Sequence, residues 1–252
     1  MKNRSDIYRT FARYYDKLGW ERFSHARADF ILKFLQETGC MVKKVLDVAC
    51  GTGTFCILLA EKAYQVTGID LSREMLSMAR RKIKKKQSNL VRFYHKDMRN
   101  FKLQQKFDLV TCNFDSLNHI LSEKEVFSTF QSVFAHLAPK GIFIFDVNTI
   151  LGLRNWRYQD INQTDTFLTL VHGVYDEDLK RATVFIDGFV KEKDEKYVRF
   201  QETISEQGYS VQTLWRLLGK AGFGKIEPIG TSKGKSRREL ESSARILLCA
   251  SK

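Results

Sequence analysis

Between residues 45 and 147 short β-branched or apolar runs alternate with amphipathic helical stretches, and no other feature of the chain restricts its fold as tightly. A strand that leads through a helix into another strand returns to the same sheet by a crossover, so repeating the unit implies a parallel sheet covered by helices. The runs Val45 to Ala49, Gln65 to Asp70, Leu90 to Tyr94, Phe107 to Asn113 and Ile142 to Val147 are the expected strands. Helical spacing fills the gaps. It is clearest from Glu123 to Leu137, where Val126, Phe127, Phe130, Val133, Phe134 and Leu137 share one face. Ser122 with Glu125 is a capping-box signature at its start, and Pro139-Lys140-Gly141 ends it. Ser72 caps the helix after the second strand. Two helical stretches, about Ser5 to Lys17 and Glu21 to Gln36, precede the first strand.

After Asn148 the period changes. Residues 166 to 175, 182 to 190 and 196 to 204 alternate apolar and polar around two polar turns, which predicts a three-stranded antiparallel meander. Helical spacing returns at Ser210 to Ala221, and strands follow near Lys225 to Ile229 and Ala244 to Ala250. The expected fold class is therefore α/β: a doubly wound, mostly parallel seven-stranded sheet with an inserted antiparallel β meander. The chain divides into 1–150, the insertion 151–205, and 206–252, which completes the sheet. An insertion after the fifth strand lies over the carboxyl edge, where such sheets bind ligands.

At 252 residues this core needs no disulfide or metal staple. With 43% hydrophobic and 28% charged residues the chain matches ordinary globular proteins, and no apolar run approaches a membrane span. The start, MKNRSDIYRTF, lacks the apolar stretch of a secretion signal, so a cytoplasmic location is expected. None of the five cysteines forms a CxxC pair or sits near histidines at zinc spacing, which leaves reduced thiols and no metal site as the expectation. The net charge of +13 raises a polyanion such as RNA as a partner. Residues 80 to 106 hold eleven Lys or Arg against the single acid Asp97, but a solvated basic helix end at Arg80, Arg81, Lys82, Lys84, Lys85 and Lys86 is the leading reading of that cluster. Nothing in the pattern fixes an oligomeric state.

The segment Val45-Leu-Asp-Val-Ala-Cys-Gly-Thr-Gly-Thr54 runs from a strand into a glycine turn that opens a helix. Gly51 and Gly53 permit backbone geometries closed to other residues and let a ligand approach the main chain. With Asp70 ending the next strand, a dinucleotide site is one reading. Cys56 in place of the third glycine opposes it, and so does Asp47, a carboxylate beside the position a pyrophosphate would take. S-adenosylmethionine (SAM) presents an ammonium and a sulfonium there instead, which an acid favours.

This segment, together with Val66-Thr-Gly-Ile-Asp70-Leu-Ser, His95-Lys-Asp97-Met98, Phe107-Asp-Leu-Val-Thr-Cys-Asn113 and Leu137-Ala-Pro-Lys-Gly141-Ile-Phe-Ile-Phe-Asp146, resembles the ordered motifs of the class I SAM-dependent methyltransferases over about 100 residues. The resemblance implies a Rossmann-like methyltransferase fold with SAM as cofactor. It implies that Asp47, Ala49, the Gly51 to Gly53 turn and Asn113 lie around the methionine moiety and that Asp70 accepts the ribose hydroxyls. Leu71 and Met75 would pack on adenine, Asp97 would take its exocyclic amine, and the Met98 backbone would meet the ring. The segment Phe11-Ala-Arg-Tyr14-Tyr15-Asp16 is similar to one that folds over SAM in many of these enzymes, with Tyr15 reaching its carboxylate.

Methyl transfer is an in-line displacement, so the protein chiefly aligns the acceptor, and a base helps only where the acceptor has a proton to lose. Polar groups crowd Asn113-Phe-Asp115-Ser116-Leu-Asn118-His119 after the fourth strand, and this stretch looks like the S-x-x-H segment of sugar-amine N-methyltransferases. His119 is the candidate base because an imidazole titrates near neutral pH. Asp146 is a second catalytic candidate, with Asp115, Ser116, Asn148 and the meander's His172 as acceptor-binding candidates. Trp156, Tyr158, Phe167, Tyr175, Phe185, Phe189, Tyr197 and Phe200 cluster in or near the meander. As a lid they would close a pocket on a small molecule. As an open aromatic sheet they would stack RNA bases, and the basic loop Lys233 to Arg238 favours that alternative. The insertion is not markedly basic, so transfer to a nitrogen or oxygen of a small molecule is the leading expectation. RNA methylation, nicotinamide-dependent oxidoreduction and SAM binding without catalysis stand behind it.

Overall fold

The computed structural model describes residue 8, residues 10–192 and residues 195–252. In chain order the elements are α1 (Arg22–Thr38), β1 (Lys44–Val48), α2 (Thr54–Glu61), β2 (Gln65–Asp70), α3 (Arg73–Arg81), β3 (Val91–His95), β4 (Phe107–Cys112), α4 (Glu123–His136) and β5 (Leu137–Asn148). There follow α5 (Ile150–Arg154), β6 (Gln159–Gln163), β7 (Phe167–Asp176), β8 (Arg181–Lys191), β9 (Tyr197–Gln207), α6 (Val211–Ala221), β10 (Ile226–Pro228), α7 (Arg237–Glu241) and β11 (Arg245–Ser251). Seven strands form one sheet in the order β10-β11-β5-β4-β1-β2-β3, and β6 to β9 form a second, antiparallel sheet. Strand β1 pairs in parallel with β2 on one side and β4 on the other, so the strand order reverses there and a crevice opens at the carboxyl ends.

Each face of the main sheet has its own core. Leu46, Val48, Phe130, Phe143, Phe145 and Leu214 pack on one side, and Val45, Leu59, Leu76, Leu109, Ile144 and Ile31 on the other. The strands are therefore near-continuous apolar runs, as burial on both faces demands. A third core joins the second sheet to the segment before α1: Phe11, Tyr14 and Leu18 pack on Val184, Ile186, Val190, Phe200 and Ile204. Burying Phe11 completely is worth about 2–3 kcal/mol, which holds this segment down as a strap.

Two expectations change here. The second sheet has four strands rather than three. Its extra strand, β6, reads Gln-Asp-Ile-Asn-Gln, and all five residues are exposed, so no hydrophobic alternation marks it; backbone pairing to β7 alone makes it a strand. The helix expected from Ser5 to Lys17 falls partly on residues 5–7 and 9, outside the described set. Its described part is a short 3-10 turn at Phe11–Arg13 and single turns up to Gly19, which has φ +78°. The apolar spacing that suggested a helix is met by packing on the second sheet instead.

Candidate active site

A cavity of about 950 Å³ lies between the carboxyl edge of the main sheet, the inner face of the second sheet and the strap. At one end is the glycine turn. Ala49, Gly51 and Gly53 all have positive φ (58°, 54° and 72°). A Cβ on Gly53 would lie 2.5 Å from the Phe93 ring and 2.8 Å from Ala79 Cβ, so glycine there lets the turn sit against β3 and α3. A Cβ on Gly51 would meet nothing within 4 Å, because that position faces the cavity. Asp70 organises the turn: Oδ2 accepts from the Gly51 N–H (2.8 Å) and Oδ1 from the Ser72 N–H (2.8 Å). Asp70 lines the cavity, and each oxygen has acceptor capacity beyond its one hydrogen bond, the capacity that a vicinal diol needs.

Asp47 lies beneath the turn. Its Oδ1 accepts from Thr111 Oγ1 (2.7 Å) and Asn113 Nδ2 (3.2 Å), and its Oδ2 from Cys56 Sγ (3.5 Å). Burial pushes its carboxyl up to about 7 despite these donors, so the site favours a cation that would keep it ionised. Asn113 lines the cavity beside it, and its Oδ1 is buried with no hydrogen-bond partner among the described residues. An orphan acceptor next to a buried carboxylate fits the ammonium of an amino acid, and so the donor set fits SAM. Leu71, Met75, Asp97 and Met98 line the wall toward α3 and β3. The Asp97 carboxylate is held by Arg99, whose Nε donates to Oδ1 (2.9 Å) and Oδ2 (3.0 Å), and Arg99 also pairs with Glu125. Glu125 further accepts from the hydroxyl of Ser122, while its own N–H is capped by that hydroxyl.

The strap covers this end. Tyr15 lines the cavity with its ring edge-on to Phe11, and burial raises its hydroxyl well above the ordinary range. A lock not foreseen from sequence fastens the strap. Lys82 Nζ donates to Asp16 Oδ2 (2.6 Å), Thr54 Oγ1 (2.7 Å) and Thr52 Oγ1 (3.0 Å), and Thr52 donates to Asp16 Oδ1 (2.7 Å). Lys82 is thus not part of a merely solvated basic helix end.

At the other end, Phe114 and Asp115 take left-handed conformations (φ 57° and 52°) after β4, followed by a 3-10 turn at Ser116–His119. Strain of this kind needs support. Asp146 supplies it, accepting from the Phe114 N–H (2.8 Å) and Asp115 N–H (3.2 Å). The same carboxylate pairs with Arg27 (3.2 Å) and Arg245. With two amides and two guanidiniums on it, Asp146 holds the acceptor loop rather than offering a free carboxylate, which corrects its expected catalytic role. Ser116 Oγ donates to the Asn113 carbonyl (2.7 Å) within the same loop. Asn118, fully buried, ties β5 to β9 through Asn148 and the Gln207 carbonyl.

His119 Nε2 is 3.4 Å from the Tyr8 hydroxyl, and burial lowers its pKa so that the ring is neutral at pH 7. Asn148 Nδ2 donates to Asp115 Oδ2 (2.6 Å) and to Glu206 Oε2 (3.0 Å). Of the aromatic residues near the insertion, Trp156 and Tyr158 line the cavity, Phe200 packs under the strap, and Phe185 and Tyr197 are exposed. His172 does not reach the cavity. Strand parity puts Thr169 and Val171 inward and His172 outward, where it is exposed beside Gln159 (3.1 Å). Sequence reasoning missed Tyr8, Lys82, Arg27, Arg245 and Glu206; of these Arg245 is a charge inside a predicted apolar strand and so carried a signal, whereas Glu206 lies beyond the predicted end of its strand at residue 204. Among the described residues no group of three or more His, Cys, Asp or Glu side chains is placed to hold a metal, and no helix is long and apolar enough to cross a membrane.

The family model described as a methyltransferase domain matches residues 45–141. The Bacillus subtilis protein YqeM, named as a methyltransferase, is 35% identical over 222 residues, covering 86% of each chain. The chain belongs to the class I SAM-dependent methyltransferases. The crystal structure of an S-adenosylmethionine-dependent methyltransferase from Clostridium acetobutylicum superposes with a TM-score of 0.81 at 28% identity, covering 97% of this chain and 98% of that one. A dTDP-3-amino-3,6-dideoxy-α-D-glucopyranose N,N-dimethyltransferase of Streptomyces fradiae is 33% identical over 122 residues, 48% of this chain and 46% of its own. This methyltransferase thus uses SAM, and the dinucleotide alternative falls away.

Proposed function

We propose that this methyltransferase transfers the SAM methyl group to a nitrogen of a small molecule held inside the cavity. The observation that carries the reading is the placement and lining of the cavity: the inner face of the second sheet, the strap and the Phe114-Asp115 loop border a deep cleft lined by His119, Tyr8, Tyr158 and buried carboxylates. These polar groups set in a mostly apolar wall suit an amine, and the sugar-amine relative supports that class. We assign the methionine moiety to Asp47, Ala49, Gly51, Gly53 and Asn113, the ribose to Asp70, the adenine to Leu71, Met75, Asp97 and Met98, and the covering position to Tyr15.

Bound there, SAM supplies a methyl carbon already activated by its sulfonium. The chain's own work is to position and to exclude water. Asp146 holds the strained loop that carries Asp115 and His119, and Ser116 and Asn148 brace it. A neutral His119 Nε2 accepts the proton that the acceptor nitrogen must lose, with the Tyr8 hydroxyl beside it. The five cysteines, all unpaired, suit work in the cytoplasm.

Offering methyl-tritiated SAM with fractionated cell extract tests the reading. Label is expected in an amine-containing metabolite. Label in RNA would overturn it, since the chamber's aromatic residues would then have to open onto a strand.

A further inference from the structure

Three carboxylates meet at the acceptor end, and they are not equally neutralised. Asp146 is paired with Arg27 and Arg245, and Asp115 lies 3.4 Å from Arg245. Glu206, contributed by β9 of the second sheet, has no cation within ion-pair distance among the described residues. Its single hydrogen bond there is the 3.0 Å contact from Asn148 Nδ2 to Oε2. The residue is only 2% exposed, yet it lines the cavity, and Oε1 is not among the wholly occluded polar atoms. An acceptor atom in a buried pocket with no partner is a demand for a donor.

We propose that Glu206 is the specificity-determining residue of the acceptor site, its Oε1 recognising the substrate nitrogen as an ammonium while Asn148 holds Oε2. The inference rests on the methyl-transfer reading of the same cavity. Its support is the charge count: Asp115, Asp146 and Glu206 face Arg27 and Arg245, so one negative charge is left for the ligand to balance. Glu206 lines the same chamber as Tyr8, His119 and Tyr158, and its charge helps to raise the hydroxyls of both tyrosines. Burial and the neighbouring Asp115 push Glu206 well above the ordinary carboxylate range against the opposing pull of Asn148 and Arg245, so the empty site favours its protonated form and a cationic ligand its ionised one. A hydroxyl acceptor of the same shape brings no cation to ionise Glu206 and gains no charge–charge attraction from it, so the site discriminates amine from alcohol by charge.

The test uses the full chain loaded with S-adenosylhomocysteine and three amine–alcohol pairs: butylamine and butanol, glucosamine and glucose, glycine and glycolate, read by saturation-transfer NMR at pH 7. At least one amine is expected to bind more than tenfold tighter than its alcohol. Glu206→Gln, which keeps the bond to Asn148, should bring that ratio near one with S-adenosylhomocysteine affinity unchanged. No amine preference in the unaltered protein, or a preference that survives Glu206→Gln, overturns the proposal. If that variant does not fold, the unaltered protein's preference decides alone. Failure of S-adenosylhomocysteine itself to bind would mark the methyl-transfer reading as the fault.

Discussion

The cavity's two ends are built differently. The cofactor end is mostly local: Asp47, the glycine turn and Asp70 lie within 24 residues, and Asp70 reaches back to Gly51 by a direct hydrogen bond of 2.8 Å. The acceptor end is assembled from distant parts, with Tyr8 on the strap, Asp115 and His119 after β4, Asn148 ending β5, Glu206 on β9 and Arg245 on β11. A short motif specifies the glycine turn and its Asp70 brace, with Thr111, Asn113, Asp97 and Tyr15 added from elsewhere in the chain. The second end exists only where two sheets and the strap meet.

The sharpest way to break this contrast is at the cofactor end. Asp70→Ala removes a carboxylate that both accepts the ribose and holds the glycine turn. With charged hydrogen bonds worth about 1.5–3 kcal/mol each, the expected loss of SAM affinity by calorimetry is more than ~100-fold. A loss of only a few-fold would mean that the turn is held by other contacts.

At the acceptor end, His119→Ala should lower kcat by about 100-fold, the lower range for a general base, with SAM affinity unchanged. The pH-rate profile decides what the loss means: a base role removes the acidic limb in the variant, whereas an unchanged rate would leave alignment as the whole mechanism.

Asp47 gives the cofactor end a pH signature. Its carboxyl in the folded protein is pushed up to about 7, above the ordinary 3.8. The folded state without ligand therefore holds a proton that the unfolded chain has lost, and its stability declines as pH rises from about 4 through 7. A cationic ligand needs the ionised form, so affinity runs the other way. SAM binding should strengthen between pH 6 and 7 by at most about tenfold, and Asp47→Asn should flatten the dependence.

The strap joins the two ends, and Lys82 fastens it. Lys82→Met should weaken SAM binding by roughly fivefold, equal to about 1 kcal/mol for a partly exposed ion pair with two hydroxyl acceptors, and leave the melting temperature almost unchanged. The smallest effect belongs to the outside of the second sheet. Glu177, about half exposed between Arg154 and Arg157, should cost under ~0.5 kcal/mol when replaced by Ala, with no change in turnover.

How far each end was legible follows from these constructions. The strands β1 to β5, the glycine turn and Asp70 were readable because periodicity and motif spacing are properties of contiguous residues. Strand β6 was not, since an exposed polar edge strand carries no hydrophobic period. His172 was placed in the cavity because it lies among aromatic residues, but a period of two decides faces, and one residue's difference sends it to solvent. The strand-end position of Asp146 marks it as a catalytic candidate, but its four partners come from α1, the loop after β4 and β11, which no local pattern shows.

What the amino-acid order determined by itself is the alternation of strands and helices and the cofactor turn, because each rests on backbone preferences and hydrogen bonds over short spans. Which carboxylates are paired, which imidazole stays neutral and which glutamate is left facing the acceptor chamber only the tertiary structure decided. Charge compensation and burial depend on neighbours that the chain brings together from 31 to 130 residues away.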